Sequence, residues 1–256
     1  MFAYRKKTRE ETLREQIKQL AKEHYRWGYR LLFNYIRRLG ENANHKKFLR
    51  IYREEHLQIG KRSRRKERRL DRIKSGQPKQ INERWSMDFM YDVLENKRSY
   101  RILNVIDDHS RECLCCEVSR SFGGYDVAEA LEKLISRYGK PKVIKSDNGA
   151  EFRSLYMEKW SKERGITLEF TRPGKPTENG QIESFNGTMR NELLRGIEFE
   201  SVREARAELE KWREKYNNER PHSALNYEPP SSRRRPHGGD GKENKLETTK
   251  PINNNI

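Results

Sequence analysis

Apolar positions along the chain follow two different rhythms. Up to about residue 60 they recur at helical spacing: Leu13, Ile17, Leu20 and Ala21, then Leu31, Leu32, Tyr35 and Ile36, then Phe48, Leu49, Tyr52 and Leu57. Side chains three and four positions apart share one helix face, so three short helices are predicted, the second and third separated by Gly40-Glu41-Asn42. From Arg84 the rhythm changes. Arg84–Val93, Ser99–Asp107 and Arg111–Val118 are rich in β-branched, aromatic and other apolar residues and predict three strands, joined by turns at Glu95-Asn96-Lys97 and Asp107-Asp108-His109-Ser110. Val127, Ala128, Leu131, Leu134 and Ile135 restore a helical period over Tyr125–Tyr138, stopped by Gly139-Lys140-Pro141. Lys142–Ser146 then predicts a short strand, Ser154–Arg164 a helix and Thr167–Phe170 a fifth strand. A loop over residues 171–180 leads into a helix, and a longer helix runs from an N-capping Ser201 to about Tyr216. Three strands, helix, strand, helix, strand is an α/β arrangement with a mixed five-stranded sheet, where ligands favour strand ends.

Segments follow from the same pattern. Residues 1–60 predict a helical module of helix-turn-helix type, a pattern that any three-helix bundle shares. Residues 61–80 hold ten Lys and Arg against two acids and read as a basic linker. Residues 81–195 carry the α/β core and 196–228 a C-terminal helix with an Arg220-Pro221-His222 element. Residues 229–256, rich in Pro, Ser, Gly, Arg and Asn, predict a disordered tail.

Charge adds a partner to this picture. The formal net charge is +17, and such a surplus favours a polyanion because Lys and Arg release counterions from phosphates. Arg62, Arg64, Arg65, Lys66, Arg68 and Arg69 in the linker are candidate contacts to a nucleic-acid backbone. No stretch approaches the roughly 18 apolar residues of a membrane span, and the first residues lack the apolar run of a signal peptide, so a cytoplasmic, nucleoid-associated protein is expected. Cys113, Cys115 and Cys116 lack the second Cys or His pair of a zinc site. Strand alternation would turn Cys113 and Cys115 to one face and Cys116 to the other, as reduced core thiols.

The candidate chemistry rests on three acids. Asp88 stands in Trp85-Ser86-Met87-Asp88-Phe89, Asp147 in Ser146-Asp147-Asn148-Gly149, and Glu183 in Gln181-Ile182-Glu183-Ser184-Phe185. Each sits in or beside an apolar or turn-forming context, where a carboxylate needs a partner, and a divalent metal suits three of them. Any one alone is an ordinary structural acid. If the first and fourth strands are neighbours, Asp88 and Asp147 can meet, and Glu183 can project onto them from its helix. Arg190 lies seven residues after Glu183, two helical turns along the same face, either as a phosphate-holding cation or as a solvated helix residue. Asn186 and Lys175, in Pro173-Gly174-Lys175-Pro176, are further candidates for contact with DNA. His222 reads as structural.

These stretches together resemble the DDE transposase and retroviral-integrase superfamily, and within it the catalytic OrfB-type transposases of bacterial insertion sequences. The resemblance is carried by Tyr25-Arg26-Trp27-Gly28-Tyr29-Arg30, Trp85–Phe89, and Val105-Ile106-Asp107-Asp108-His109-Ser110-Arg111. It continues through Ser146-Asp147-Asn148-Gly149-Ala150-Glu151-Phe152, Pro173–Pro176, Ile182-Glu183-Ser184-Phe185-Asn186-Gly187 and Tyr216–Leu225, with 35 residues between Asp147 and Glu183. It spans about residues 10–230. It implies a ribonuclease-H-like core with Asp88, Asp147 and Glu183 as catalytic metal ligands for Mg2+ or Mn2+, two ions with DNA bound. It also implies DNA end cleavage by water, strand transfer by the freed 3′-hydroxyl, double-stranded DNA as partner, a homo-multimer on DNA and a separate OrfA-type partner protein. Two other readings remain: a ribonuclease-H-like nuclease or resolvase without strand transfer, and a transposase-derived DNA-binding regulator.

Overall fold

The structure is a computed structural model and describes residues 8–60, 76–172 and 179–234. The N-terminal module consists of α1 (Arg9–Glu23), α2 (Tyr29–Arg38) and α3 (His45–Glu54) around a core of Leu13, Ile17, Trp27, Leu32, Ile36, Phe48 and Ile51. Thr8 and Glu11 close a reciprocal capping box on α1, and the Asn44 side chain accepts from Lys46 N at 2.8 Å to start α3. Leu57 falls beyond the end of α3 but still packs on this core. The Tyr25–Arg30 motif is the α1–α2 connection: Trp27 is buried and stacks on His24 with ring centroids 3.8 Å apart.

The core then runs β1 (Arg84–Val93), β2 (Ser99–Asp107), β3 (Cys113–Ser119), α4 (Gly124–Tyr138), β4 (Val143–Ser146), α5 (Leu155–Arg164), β5 (Thr167–Phe170), α6 (Gly180–Met189) and α7 (Val202–Asn218), with a π-helical turn Arg190–Leu194 after α6. The sheet order is β3-β2-β1-β4-β5, with β1–β2 and β2–β3 antiparallel and β1–β4 and β4–β5 parallel. Strand alternation builds two cores from one sheet. Met90, Ile102 and Ile106 pack with α6 and α7 (Phe185, Met189, Leu209, Tyr216), while Met87, Leu103 and Val105 pack with α4 and α5 (Leu131, Met157, Trp160).

Third-strand alternation does not hold as expected. Ile106 pairs with Cys113 and Val105 with Cys115, leaving Leu114 as the extra residue of a β-bulge. The bulge turns Cys113 and Cys116 to the α7 face, their sulfurs 3.2 Å apart, and Cys115 to the opposite face. Asn217 of α7 serves the disturbed backbone: its Oδ1 accepts from Cys113 N at 2.9 Å and its Nδ2 donates to Cys113 O at 2.8 Å. The strand starts at Cys113 rather than Arg111 because Arg111 is left-handed, at φ 65°, closing the corner after Asp107.

The predicted tail also begins too early. Pro230–Arg233 form a 3₁₀ turn, Pro230 is buried, and Arg234 pairs with the buried carboxylate of Glu112. An unpaired buried carboxylate is costly, which is why this polar stretch is held against the core. Residues 235–256, the rest of that prediction, lie outside the described residues, as do 61–75 and 173–178. Among the described residues no helix is long and apolar enough to cross a membrane.

Candidate active site

β1 is the reference for the site. It pairs in parallel with β4 at Ser86↔Lys145, and continuing that register two residues brings Asp147, at the end of β4, level with Asp88. The adjacency that sequence could only suppose is therefore present. Asp88 shares the Met90 face of β1, against which α6 packs, and α6 carries Glu183 in its first turn. Asp88 is half-buried, and its carboxylate accepts from Phe89 N at 2.9 Å and from Asn186 Nδ2 at 2.8 Å. Burial, followed by the negative fields of Asp147 and Glu183, pushes its pKa up to about 6 despite those two bonds. Glu183 is also raised, by desolvation. Three carboxylates therefore share one electrostatic neighbourhood. Among the described residues, no three Asp, Glu, His or Cys side chains close into a ready-made ion cage.

The Asp147 loop is locked from the other face of the sheet. Asp147 is exposed, and its Oδ1 accepts from Gly149 N at 2.9 Å. A Cβ on Gly149 would lie 3.1 Å from that oxygen and 3.2 Å from Glu151 Oε2, so the turn has little room for a side chain. Phe152 stacks on Phe89 with centroids 4.9 Å apart and planes 8° off parallel. Glu151 pairs with Arg101 of β2, whose guanidinium lies 3.9 Å over the Phe89 ring and 4.9 Å over Tyr91. Burial raises the Glu151 carboxyl, but the Arg101 hydrogen bond and charge outweigh it and hold it below the usual range.

The other expected site residues fall in three groups. Asn186, a candidate DNA contact, has its amide engaged within the chain, donating to Asp88 and accepting from Asn104 Nδ2, each at 2.8 Å. Arg190 is exposed at the start of the π-helical turn and donates to Tyr91 O at 3.2 Å, at the far end of β1. Lys175, Arg62, Arg64, Arg65, Lys66, Arg68 and Arg69 lie outside the described residues.

The remaining motifs are architectural. Asp107 accepts from His109 N, Ser110 N and Asn82 N, and buried Asp108 pairs with Arg84 at 2.5 Å, so Val105–Arg111 is a braced corner. Arg220 grips Glu192 of the π-helical turn with Nε at 2.8 Å and Nη2 at 2.7 Å. His222 Nε2 meets Tyr216 OH at 3.2 Å, and burial first, then Arg220 and Arg111, push the imidazole down to about 4. That shift favours the neutral imidazole. Sequence reasoning missed Asn104 and the Arg101–Glu151 pair. The available signal was a lone amide in the apolar run Ile102-Leu103-Asn104-Val105-Ile106.

Comparison with known proteins places this geometry. The integrase core domain family matches residues 78–176, and a second family of the same description, integrase core domain, matches residues 164–230. A protein of insertion element IS407 from Burkholderia multivorans is 41% identical over 221 residues, 86% of this chain and 80% of that protein. Among solved structures, the simian T-cell lymphotropic virus intasome, in complex with a PP2A regulatory subunit, aligns with TM-score 0.57 at 18% identity, over 92% of this chain and 80% of that one. The HTLV-2 integrase catalytic core, in complex with magnesium, aligns with TM-score 0.50 at 17% identity, over 61% of this chain and 98% of that one. The mixed five-stranded sheet is thus the ribonuclease-H-like integrase fold, and this chain belongs to the insertion-sequence transposases of the retroviral-integrase superfamily.

Proposed function

We propose that Asp88, Asp147 and Glu183 are the catalytic carboxylates and hold divalent metal, Mg2+ or Mn2+, two ions when DNA is bound. The observation that carries this is the juxtaposition: the β1–β4 register sets Asp147 level with half-buried Asp88, and α6 brings Glu183 to the same strand face, with the fields of both among the causes that raise the Asp88 carboxyl. The integrase core family is divalent-metal dependent, and an all-oxygen donor set of carboxylates suits a hard cation. A bound pair of such ions would supply nucleophile activation and relief of charge at the leaving oxygen in an in-line phosphodiester displacement.

The chain's own residues do the rest. Asn186 holds one oxygen of Asp88, and the Phe89 amide holds the other. The Phe89–Phe152 stack and the Arg101–Glu151 pair keep the Asp147 loop level with β1. Arg190, Lys175 and the basic residues between 62 and 69 are proposed to bind DNA phosphates, each weakening binding with little sequence preference when removed. On this reading the enzyme cleaves element ends with water and joins the freed 3′-hydroxyl to target DNA. It works as a homo-multimer on DNA with a separate OrfA-type partner.

The test is direct. Asp88→Asn, Asp147→Asn and Glu183→Gln should each lose cleavage and strand transfer by at least about a thousandfold while retaining DNA binding in a mobility-shift assay. Activity should vanish in excess chelator and return with Mg2+ or Mn2+. Strand transfer near wild-type rate by any of the three variants would overturn the assignment.

A further inference from the structure

β2 carries a buried polar side chain that the chemistry above leaves unassigned. Asn104 is 0% exposed, lies on the same sheet face as Ile102 and Ile106, and pairs directly across from Asp88. Its Nδ2 donates to Asn186 Oδ1 at 2.8 Å, and Asn186 Nδ2 donates to Asp88 Oδ2 at 2.8 Å. Its own Oδ1 has no hydrogen-bond partner among the described residues. An amide buried with one end unpaired works against folding, and an apolar residue would suit this core position better. The unpaired oxygen points to a role for the donor end.

That role follows from the chemistry of the two amides. An ionised carboxylate only accepts hydrogen bonds, so Asn186 must turn its NH2 toward Asp88. An amide can present either end, and Asn186 with its oxygen toward Asp88 would set like charge against like. The Asn104 NH2, itself turned this way by the Met189 sulfur 3.8 Å from Nδ2, reinforces that choice, because the reversed Asn186 would face it N–H to N–H. We propose that Asn104 is a positioning residue, locking the Asn186 amide so that Asp88 is held in one orientation for a divalent cation. This rests on the reading of Asp88 as a metal ligand. Groups that orient ligands are worth about 10- to 100-fold in metal affinity.

The experiment uses the full chain and Mn2+ alone as probe, with free Mn2+ followed by electron paramagnetic resonance and folding followed by thermal melting. Asn104→Leu should weaken Mn2+ binding about tenfold without lowering the melting midpoint. In an Asn186→Ala background, Asn104→Leu should have no further effect, because the relay is already cut. Mn2+ binding by Asn104→Leu within twofold of wild type, or an equal loss in the Asn186→Ala background, would overturn the proposal. If Asn104→Leu does not fold, Asn104→Val, which is well suited to a strand, carries the same test. Asp88→Asn separates the two levels. Lost binding there with normal binding in Asn104→Leu sinks the relay alone, whereas retained binding in Asp88→Asn sinks the metal-site reading beneath it.

Discussion

Neutralising Asp88 should stabilise the metal-free protein while destroying its chemistry. The ordinary aspartate value is 3.8, and burial with the fields of Asp147 and Glu183 carries Asp88 to about 6. The folded state therefore holds this proton more tightly than the unfolded chain does. Wild-type stability falls as pH rises from about 4 to about 6, the reverse of a salt-bridged carboxylate. At about 1.4 kcal/mol for each tenfold in proton affinity, the ionised group costs the fold about 3 kcal/mol at neutral pH. Asp88→Asn removes that cost but puts one NH2 where an oxygen accepts from Phe89 N or Asn186 Nδ2, losing a bond worth about 1 kcal/mol. The net gain at pH 8 is about 2 kcal/mol, or roughly 4–8 °C in melting midpoint for a chain of this size. At pH 4 the variant should gain nothing and lose about the value of that bond. On the proposed reading, saturating Mg2+ should stabilise wild type more than the variant, which lacks one of the three proposed ligands. Thermal melting across pH 4–8, with and without Mg2+, checks all of this. A variant less stable than wild type at pH 8, or a gain independent of pH, would refute the electrostatic account of the site.

Three further outcomes follow from the packing. Arg101→Met and Glu151→Gln should show a coupling of about 1–3 kcal/mol in a double-mutant cycle by urea denaturation, because the pair lies between exposed and fully buried cases; a coupling below about 0.5 kcal/mol would remove it as a lock on the Asp147 loop. His222 is pushed down to about 4, so the unfolded chain takes its proton first and stability is lost as pH falls from 6.5 toward 4, by at most about 3 kcal/mol. His222→Phe should flatten that acid limb, and an unchanged limb would show that the imidazole is not buried neutral. Asn217→Leu leaves the Cys113 N–H without its acceptor and the Cys113 carbonyl with only Arg213 Nη1 at 3.2 Å, and should cost about 1–3 kcal/mol in denaturant unfolding, with a loss under about 0.5 kcal/mol counting against the latch.

Much of this molecule can be read from residue spacing, and the failures share one cause. Most helices and strands are legible because they bury a face set by their own period; Thr167–Phe170, an edge strand left largely exposed, still matches the predicted strand end for end. The Cys113–Cys116 run was misread because alternation assumes an unbroken ladder, and the bulge depends on Asn217, about a hundred residues away, accepting the displaced amide. Pro230–Arg234 looks like tail because its composition is polar, yet buried Pro230, the Arg234–Glu112 pair and the Arg234–Tyr138 contact hold it against the core. Asp88, Asp147 and Glu183 stood out only as a set: an acid in an apolar strand is unusual, an Asp in an Asn-Gly turn is not, and it is their order and spacing that single them out. Asn104 did not, because a single amide in a strand carries no hint of the residue 82 positions later that it orients.

The same alternation explains why one strand can assemble the site. Asp88 and Phe89 are consecutive, so their side chains leave β1 on opposite faces. Through Asp88 the strand meets α6, with Glu183 and Asn186. Through Phe89 it meets Phe152 and the Arg101–Glu151 pair, which fix the loop bearing Asp147. Two carboxylates separated by 35 residues are thus referred to the same two-residue stretch from opposite sides of the sheet. A one-residue slip of β1 against β2 would exchange the two faces and uncouple both at once. The Arg101–Phe89 and Asn104–Asp88 pairings are placed to resist that slip, one on each face, so the residues that hold the register are the same ones that hold the carboxylates.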